Sequence, residues 1–178
     1  MDYEIKPTNR KDLRLYAKLF RSVCGVSQSE PIDPVALLDR LPDLEGFDGV
    51  RYEIVYNNAL GGNVPARCLK DDDGYVIQIK EKVYLGAYER KIGGDRMHII
   101  HEIMHVYLDK LGFKPIYSRQ LREKLPPYRS LEWATMAIAG EVMMPYEFTV
   151  GMGTKELMSV YGLSKAAAEK RQKYELLT

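Results

Sequence analysis

The residues best suited to chemistry form the pentapeptide His101-Glu102-Ile103-Met104-His105, which has the pattern HExxH. Residues four apart lie on the same face of an α-helix, so the two imidazoles would point the same way. Two imidazoles at this spacing can hold one zinc ion, and the glutamate between them can act as a base toward a water on that metal. The pattern predicts a zinc site with His101 and His105 as ligands and Glu102 as the catalytic base.

A catalytic zinc site needs a third protein ligand and one open position. No histidine follows His105, and the position ten residues after His101 is occupied by Leu111. The third ligand must therefore be a carboxylate. The downstream candidates are Asp109, Glu123, Glu132, Glu141 and Glu147.

These candidates differ in their sequence surroundings. Asp109 shares the helix of the two histidines, which makes a tetrahedral site harder to close. Glu123 lies in a highly charged segment and is better explained as solvated. Glu132 begins an otherwise apolar segment, where burying an unpaired carboxylate would be costly unless a metal bound it. Interaction with a helix N-terminus is the other explanation for Glu132, so the residues favour Glu132 and leave the alternatives open.

Two helices must position this chemistry. The first is predicted over residues 95–111, with Asp95 as its N-cap and Gly112 as its stop, and a connector over 86–94 leads into it. The second is predicted over 131–144, capped by Ser130 and ended by Pro145.

The remaining elements follow from hydrophobic periodicity. Residues 9–23 predict an amphipathic helix, whose core face would hold Leu13, Tyr16, Ala17, Leu19, Phe20 and Val23. Residues 34–41 predict a short helix that begins with proline. Alternation near 50–56, 64–68 and 75–80 predicts about three strands of a small antiparallel sheet, with a turn at 71–74 and Pro65 marking an edge strand. Further helical segments are predicted at 121–125, 154–161 and 164–177.

The composition is that of an ordinary globular protein. The chain has 178 residues, 46% hydrophobic and 29% charged, which predicts one main domain. The formal net charge of +1 predicts no strong bulk attraction to nucleic acid or an anionic membrane. Cys24 and Cys68 have no CxxC spacing, which favours a reducing compartment. We find no stretch suited to a signal peptide or a membrane span and expect a cytoplasmic protein.

A resemblance to a known family joins the two helices. The HExxH motif with Arg96 before it, and the segment from Glu132-Trp133 through Ala139-Gly140-Glu141 to Met143-Met144-Pro145, resemble the ImmA/IrrE metallopeptidases. Those proteins have an R-x4-HExxH helix followed by E-W-x-A-x-x-F-A-x-x-L-L-M-P. The stretch from Gly162-Leu163-Ser164 to Arg171 is similar to the family's "VSxxAxxxRL" ending. The resemblance covers roughly residues 50–172.

The resemblance implies that Glu132 is the third zinc ligand. It also implies a zinc endopeptidase of the bacterial or phage cytoplasm that cleaves a helix-turn-helix repressor of a prophage or mobile element. The chain departs from the family at Met104, where HExGH is usual, and at Thr135 and Ile138, where alanine and an aromatic residue are usual. These changes leave the ligands in place and alter packing around the metal.

The expected fold class is α+β with a zincin-like domain. An N-terminal helical segment is expected over residues 1–49 and the metallopeptidase core over 50–150. The core would hold the small antiparallel sheet and a helical half that carries the metal site. A C-terminal helical segment is expected over 151–178.

The competing function is a DNA-binding or regulatory module in the C-terminal segment. Tyr161-Gly162-Leu163-Ser164 resembles the turn of a helix-turn-helix, and the next helix carries the cations Lys165, Lys170, Arg171 and Lys173.

Some supporting residues stay unassigned. His98 is predicted to face solvent, with a role beside the ligands as the alternative. Arg96 is predicted to pair with a carboxylate such as Glu141 or to lie on the surface. The donor for a developing oxyanion is not fixed by the sequence, and the candidates are Tyr84, Tyr88, Tyr107, Tyr117 and Tyr128.

Overall fold

The computed structural model describes residues 2–116 and 125–175. In this part the chain is α+β, with eight α-helices and one three-stranded sheet. The helices are α1 Arg10–Val23, α2 Pro34–Arg40, α3 Glu81–Tyr88, α4 Gly93–Lys110, α5 Leu131–Met143, α6 Tyr146–Thr149, α7 Thr154–Tyr161 and α8 Lys165–Glu175. The strands are β1 Val50–Val55, β2 Ala66–Asp71 and β3 Gly74–Lys80, and single 3-10 turns lie at Leu41–Asp43 and Pro127–Arg129.

Helix α1 confirms its predicted span but not all of its predicted core face. Leu13, Ala17 and Phe20 are buried, whereas Leu19 is 51% exposed and Val23 is 36% exposed. The buried face instead includes Arg21, which lies one turn after Ala17. Its guanidinium is fully buried because it donates to the backbone carbonyls of Val142, Ser27 and Glu30.

The sheet is mixed, so the prediction of an antiparallel sheet is wrong for one of its two pairs. Strand β3 lies in the centre, antiparallel to β2 and parallel to β1, in the order β1-β3-β2. Residues 56–65 lead from β1 to the far edge of the sheet and leave the central position open. The predicted turn at 71–74 then joins β2 to β3, which fills that central position. Strand β2 is an edge strand, as Pro65 indicated.

The predicted connector over 86–94 is wrong in its first part, because residues 81–88 form α3. Helix α4 also begins at Gly93, before the expected cap Asp95. Asp95 instead packs against α3 at Gly86, where an added Cβ would lie 1.8 Å from the Asp95 carboxylate. The glycine inside α3 thus permits this close approach, which its sequence context did not reveal.

The two helices of the candidate site meet in the core. Helix α4 packs against α3, α5 and β2, and α1 packs against α5. Ile99, Ile103 and Met104 of α4 are fully buried, as are Ala134 and Ile138 of α5. Burial of whole apolar side chains stabilises such a pair by roughly 1.5–3 kcal/mol for each large residue. The packing therefore fixes α4 and α5 relative to each other.

The C-terminal segment adds two helices to the same apolar core. Helix α7 ends at Gly162, whose φ of +61° closes the helix in the left-handed conformation. Leu157, Leu163 and Ala168 belong to the core cluster that also contains Leu13 and Ile77. The helix predicted at 121–125 lies largely outside the described residues. In the part of the chain that the structure describes, no helix is long and apolar enough to cross a membrane.

Candidate metal centre

Helix α4 places the two predicted histidine ligands together. His101 and His105 lie one helical turn apart, with their rings edge to face and their centroids 4.7 Å apart. Their Nε2 atoms are separated by 3.1 Å. The helical spacing therefore brings the two nitrogens to one point, as the sequence predicts.

The N-terminus of α5 brings Glu132 to the same point. The Ser130 hydroxyl accepts the Trp133 N–H at 2.9 Å and forms the predicted N-cap. The carboxylate of Asp2 adds a second clamp, since it accepts the Glu132 N–H at 3.0 Å and the Ser130 hydroxyl at 2.6 Å. The backbone next to Asp2 also contacts this end of α5, because the Leu131 N–H donates to the Tyr3 carbonyl.

The three side chains converge closely enough to share one ion. Glu132 Oε2 lies 3.4 Å from His101 Nε2, and Glu132 Oε1 lies 3.5 Å from His105 Nε2. Ligands placed tetrahedrally at about 2.0–2.1 Å from zinc are separated by about 3.3–3.4 Å. Among the described residues, this is the group of histidines and carboxylates that could hold a metal ion. Two imidazoles and one carboxylate also form a donor set that zinc accepts.

The other described carboxylates are engaged elsewhere. Asp109 is paired with Lys70 and Lys114 and accepts the Tyr75 hydroxyl, so its placement on the histidine helix does not bring it to the site. Glu141 is buried among arginines, and Glu147 pairs with Lys18 at 2.6 Å. Glu123 lies outside the described residues. Of the downstream candidates that the structure describes, the geometry thus brings only Glu132 to the two imidazoles.

The electrostatic surroundings keep His105 and Glu132 in the forms that bind a metal. Burial, together with the neighbouring His101, lowers the pKa of His105 to about 4. A hydrogen bond with His101 lowers the pKa of Glu132 against the opposing effect of burial. At neutral pH the site therefore holds a neutral His105 imidazole and an ionised carboxylate, which are the forms that bind zinc.

A hydroxyl behind His105 selects its tautomer. Thr135 Oγ1 donates to the Leu131 carbonyl at 2.8 Å and lies 3.4 Å from His105 Nδ1. Since its one proton is directed to that carbonyl, the hydroxyl oxygen accepts the Nδ1–H of His105. This assignment leaves the Nε2 lone pair toward the site. Thr135 thus contacts a candidate ligand directly.

Glu102 lies beside the three candidate ligands in a buried position. It is 9% exposed, and burial raises the pKa of its carboxyl above the ordinary value. The backbone N–H of Cys68, on the edge strand β2, donates to it. A carboxylate with a raised pKa is suited to accept and return a proton near neutral pH.

Two cavities meet at the candidate site. The first, of about 480 Å³, lies between α4, α5 and α8, and the second, of about 570 Å³, lies along β2. His101, Glu102, Glu132 and Ala66 line both cavities. The site is therefore open to the surface on two sides, along the edge of the sheet.

The structure corrects the expectations for Arg96 and bears on those for His98 and the tyrosines. Arg96 is buried, but it donates to the Ile32 carbonyl at 2.9 Å and pairs with no described carboxylate. His98 is exposed at the mouth of the first cavity, as favoured. Tyr3 and Tyr75 line the second cavity, although neither is among the five tyrosines named as oxyanion donors. Of those five, Tyr117 lies outside the described residues.

The turn between α7 and α8 is packed against the start of α4. An added Cβ at Gly93 would lie 2.3 Å from the backbone of Leu163, and one at Gly162 would lie 2.3 Å from the Arg96 guanidinium. Arg171, which the alternative function placed on a recognition helix, is 3% exposed and donates to Thr149 at 2.9 Å. The Arg171 guanidinium is thus part of the interior and does not face a nucleic acid.

Sequence reasoning missed Asp2 and the cavity walls. Asp2 gave no local signal, because its partner Glu132 lies 130 positions away. Met136 and Gly140 gave one weak signal, since they follow Glu132 at intervals of four and lie on its face of α5.

Comparison with protein-family models, curated proteins and solved structures finds no match. The resemblance to ImmA/IrrE metallopeptidases stays a prediction that rests on the motifs themselves.

Proposed function

We propose that this protein is a zinc-dependent endopeptidase with a zincin-like catalytic domain. The observation that carries the proposal is the convergence of three ligand atoms, one each from His101, His105 and Glu132, within 4.8 Å of one another. Glu102, a buried carboxylate that is not one of these ligands, lies beside them. A zinc site that served structure alone would not require this base.

The chemistry divides between the metal and the chain. When bound by His101, His105 and Glu132, zinc supplies a Lewis acid that acidifies a water and polarises a peptide carbonyl. Glu102 accepts a proton from the attacking water as the C–O bond forms. It then gives that proton to the leaving amine as the C–N bond breaks. The raised pKa of Glu102 favours both transfers near neutral pH.

The edge strand supports an extended peptide as substrate. Strand β2 pairs only with β3 in the described sheet, so its other edge presents backbone N–H and C=O groups. Ala66 and Cys68 of this strand line the second cavity, and Ala66 also lines the first. An added strand would bond to this edge and run past Glu102.

The substrate and compartment rest on the resemblance and the cysteines. The likeness to ImmA/IrrE peptidases supports a helix-turn-helix repressor of a phage or mobile element as the natural substrate. Cys24 and Cys68 are both free thiols, which supports a reducing cytoplasm.

The proposal is tested by replacing the base while keeping the ligands. Zinc-loaded wild-type protein is expected to cleave members of an internally quenched peptide library, with cleavage sites read by mass spectrometry. Glu102→Gln is expected to lower kcat/KM by about 10²–10⁴-fold, because the proton acceptor is lost. Its zinc content should equal that of the wild type.

The matched control is Glu147→Gln, which neutralises an exposed carboxylate whose partner is Lys18. This variant should keep both zinc and activity. Activity of Glu102→Gln at the wild-type level, or wild-type cleavage that persists after complete chelation of the metal, would contradict the proposal.

A further inference from the structure

The first cavity is lined largely by apolar surface. It has a volume of about 480 Å³ and begins at His101, Glu102 and Glu132. Its walls come from α4, α5 and α8, and their apolar contributors are Met97, Met136, Ala137, Gly140, Met144 and Ala167. Apolar walls that begin at a candidate reacting centre can bury an apolar side chain of a bound peptide.

One stripe of α5 runs from the candidate ligand into this cavity. Glu132, Met136 and Gly140 follow one another at intervals of four and so share a helix face. The eight residue steps between the first and the last correspond to about 12 Å along the helix axis. A cavity that extends over this length of helix exceeds what a short side chain such as alanine fills.

Gly140 keeps the inner part of the cavity open. A Cβ built on this residue would meet no atom within 4 Å. The backbone of α5 therefore does not require glycine there, and a larger side chain would project into the cavity. Glycine in a helix interior is less stable than alanine by roughly 0.5–1 kcal/mol, so its effect at this position is an open volume rather than a gain in stability.

The first cavity is lined by flexible methionine side chains. Met97, Met136 and Met144 contribute unbranched, polarisable thioethers, which adapt to differently shaped apolar partners. Glu141 and Arg171 line the same cavity and lie 3.7 Å from each other, with both side chains 2% exposed. These charges stabilise each other and do not require a charged ligand.

The second cavity differs in chemistry. Arg67, Lys70 and Asp109 line it together with the Tyr75 ring. Its walls are mixed, because Leu69 and Phe113 lie beside these polar groups, and they offer less apolar surface than the walls of the first cavity. The two sides of the candidate centre are thus unequal, and the apolar side is the one between α5 and α8.

We propose that the cavity between α4, α5 and α8 is a specificity pocket for a large aliphatic or aromatic apolar side chain, such as that of leucine, methionine or phenylalanine. The residue that carries it flanks the cleaved bond, and this part rests on the proposed peptidase function. The pocket selects by volume, through the space left at Gly140, and by apolar contact with the three methionines.

The pocket is first tested without catalysis. Wild-type protein labelled at its methionine methyl groups is titrated with N-acetylphenylalaninamide and, separately, with N-acetylalaninamide. The phenylalanine amide should shift the signals of Met97, Met136 and Met144, whereas the alanine amide should not. Gly140→Phe fills the space and should abolish these shifts, while Gly140→Ala adds only a methyl group and should preserve them.

The pocket is then tested in cleavage. Peptides that differ only in one residue beside the cleaved bond should show kcat/KM at least about tenfold higher for leucine or phenylalanine than for alanine. Gly140→Phe should remove this preference by lowering kcat/KM for the leucine and phenylalanine peptides to about the value for the alanine peptide. Gly140→Ala, which adds one methyl group, should keep the preference for the larger residues.

The outcomes separate the pocket from the peptidase. Shifts absent in the wild type, or unchanged in Gly140→Phe, would overturn the pocket whether or not the protein cleaves peptides. Cleavage without a preference for large apolar residues would also overturn it and would leave the peptidase proposal intact. Methyl shifts as expected without any cleavage would sink the peptidase proposal, and with it the statement that the pocket flanks a cleaved bond.

Discussion

Helix α5 carries one carboxylate at each end, and the two have opposite surroundings. Glu132 begins the helix with a side chain 43% exposed and two imidazole nitrogens 3.4 and 3.5 Å away. Glu141, nine positions later, is 2% exposed and lies 3.2 Å from both Arg10 and Arg14. The same residue type on the same helix thus meets two imidazoles at one end and permanently charged arginines at the other.

The difference separates a candidate ligand from a structural ion pair. The charge of Glu141 is compensated by arginines, which stay protonated at all ordinary pH values. The charge of Glu132 has no arginine beside it among these neighbours, which are the imidazoles of His101 and His105. The lowered pKa of His105 leaves that imidazole neutral at neutral pH. A bound cation would complete the site at Glu132, whereas the site at Glu141 is complete without one. The charge of the groups around a buried or half-buried carboxylate therefore says more about metal binding than their distance from it does.

The largest effect is expected from Glu141→Gln. The substitution leaves Arg10, Arg14 and Arg171 around a neutral group, and loss of one partner of a buried ion pair typically costs about 3–5 kcal/mol. Denaturant unfolding of the metal-free protein should show this decrease. Zinc bound per folded molecule should stay at the wild-type value, because Glu141 is not a ligand.

The two ends of α5 are expected to act independently of each other. Loss of zinc from folded Glu141→Gln would show that the arginine cluster holds the metal site in shape. An unfolding free energy equal to that of the wild type would show that the arginines find other partners. Thr149 is one such partner, because it already accepts a hydrogen bond from Arg171 at 2.9 Å.

A smaller effect is expected from pH, and only at the Glu132 end. Burial holds the pKa of His105 at about 4 in the folded chain, below its ordinary value of 6.5. Between these values the unfolded chain binds a proton that the folded chain does not, so the stability of the metal-free protein should fall as the pH drops from 6.5 toward 4. The loss due to His105 should be on the order of 2 kcal/mol, and this contribution should level off below pH 4.

Two variants separate the contributions to this pH dependence. His105→Gln should flatten the stability curve between pH 6.5 and 4, since the titrating group is gone. Glu141→Gln should lower the whole curve and keep its slope, because arginines do not titrate there. A slope that persists in His105→Gln would assign the pH dependence to another group.

The local part of the site was predictable, because it depends on helical spacing. His101, Glu102 and His105 lie within one and a half turns of α4, so their sequence positions fix their common face. The Ser130 cap was also predictable, since it involves neighbours in the chain. Glu132 was favoured by its apolar surroundings and singled out by the family resemblance.

The missing parts depend on contacts between distant segments. Asp2 reaches the N-terminus of α5 across 128 to 130 positions, and Arg10 reaches Glu141 across 131. The parallel pairing of β1 with β3 likewise depends on the position of β2 at the other edge of the sheet. The alternation of residues within a strand does not encode the order of the strands. The buried Arg21 and Arg171 escaped prediction for a related reason, since each has a partner outside its own helix: Val142 accepts from Arg21 and Thr149 accepts from Arg171.

The most direct test of the zinc centre is metal content by elemental mass spectrometry. Wild type, Glu132→Ala and the surface control Glu147→Ala are purified side by side without chelator, and folding is checked by circular dichroism. We predict about one zinc per chain in wild type and Glu147→Ala, and far less in folded Glu132→Ala. Equal zinc in all three proteins, or none in wild type after zinc is added, would contradict the assignment of His101, His105 and Glu132 as the metal site.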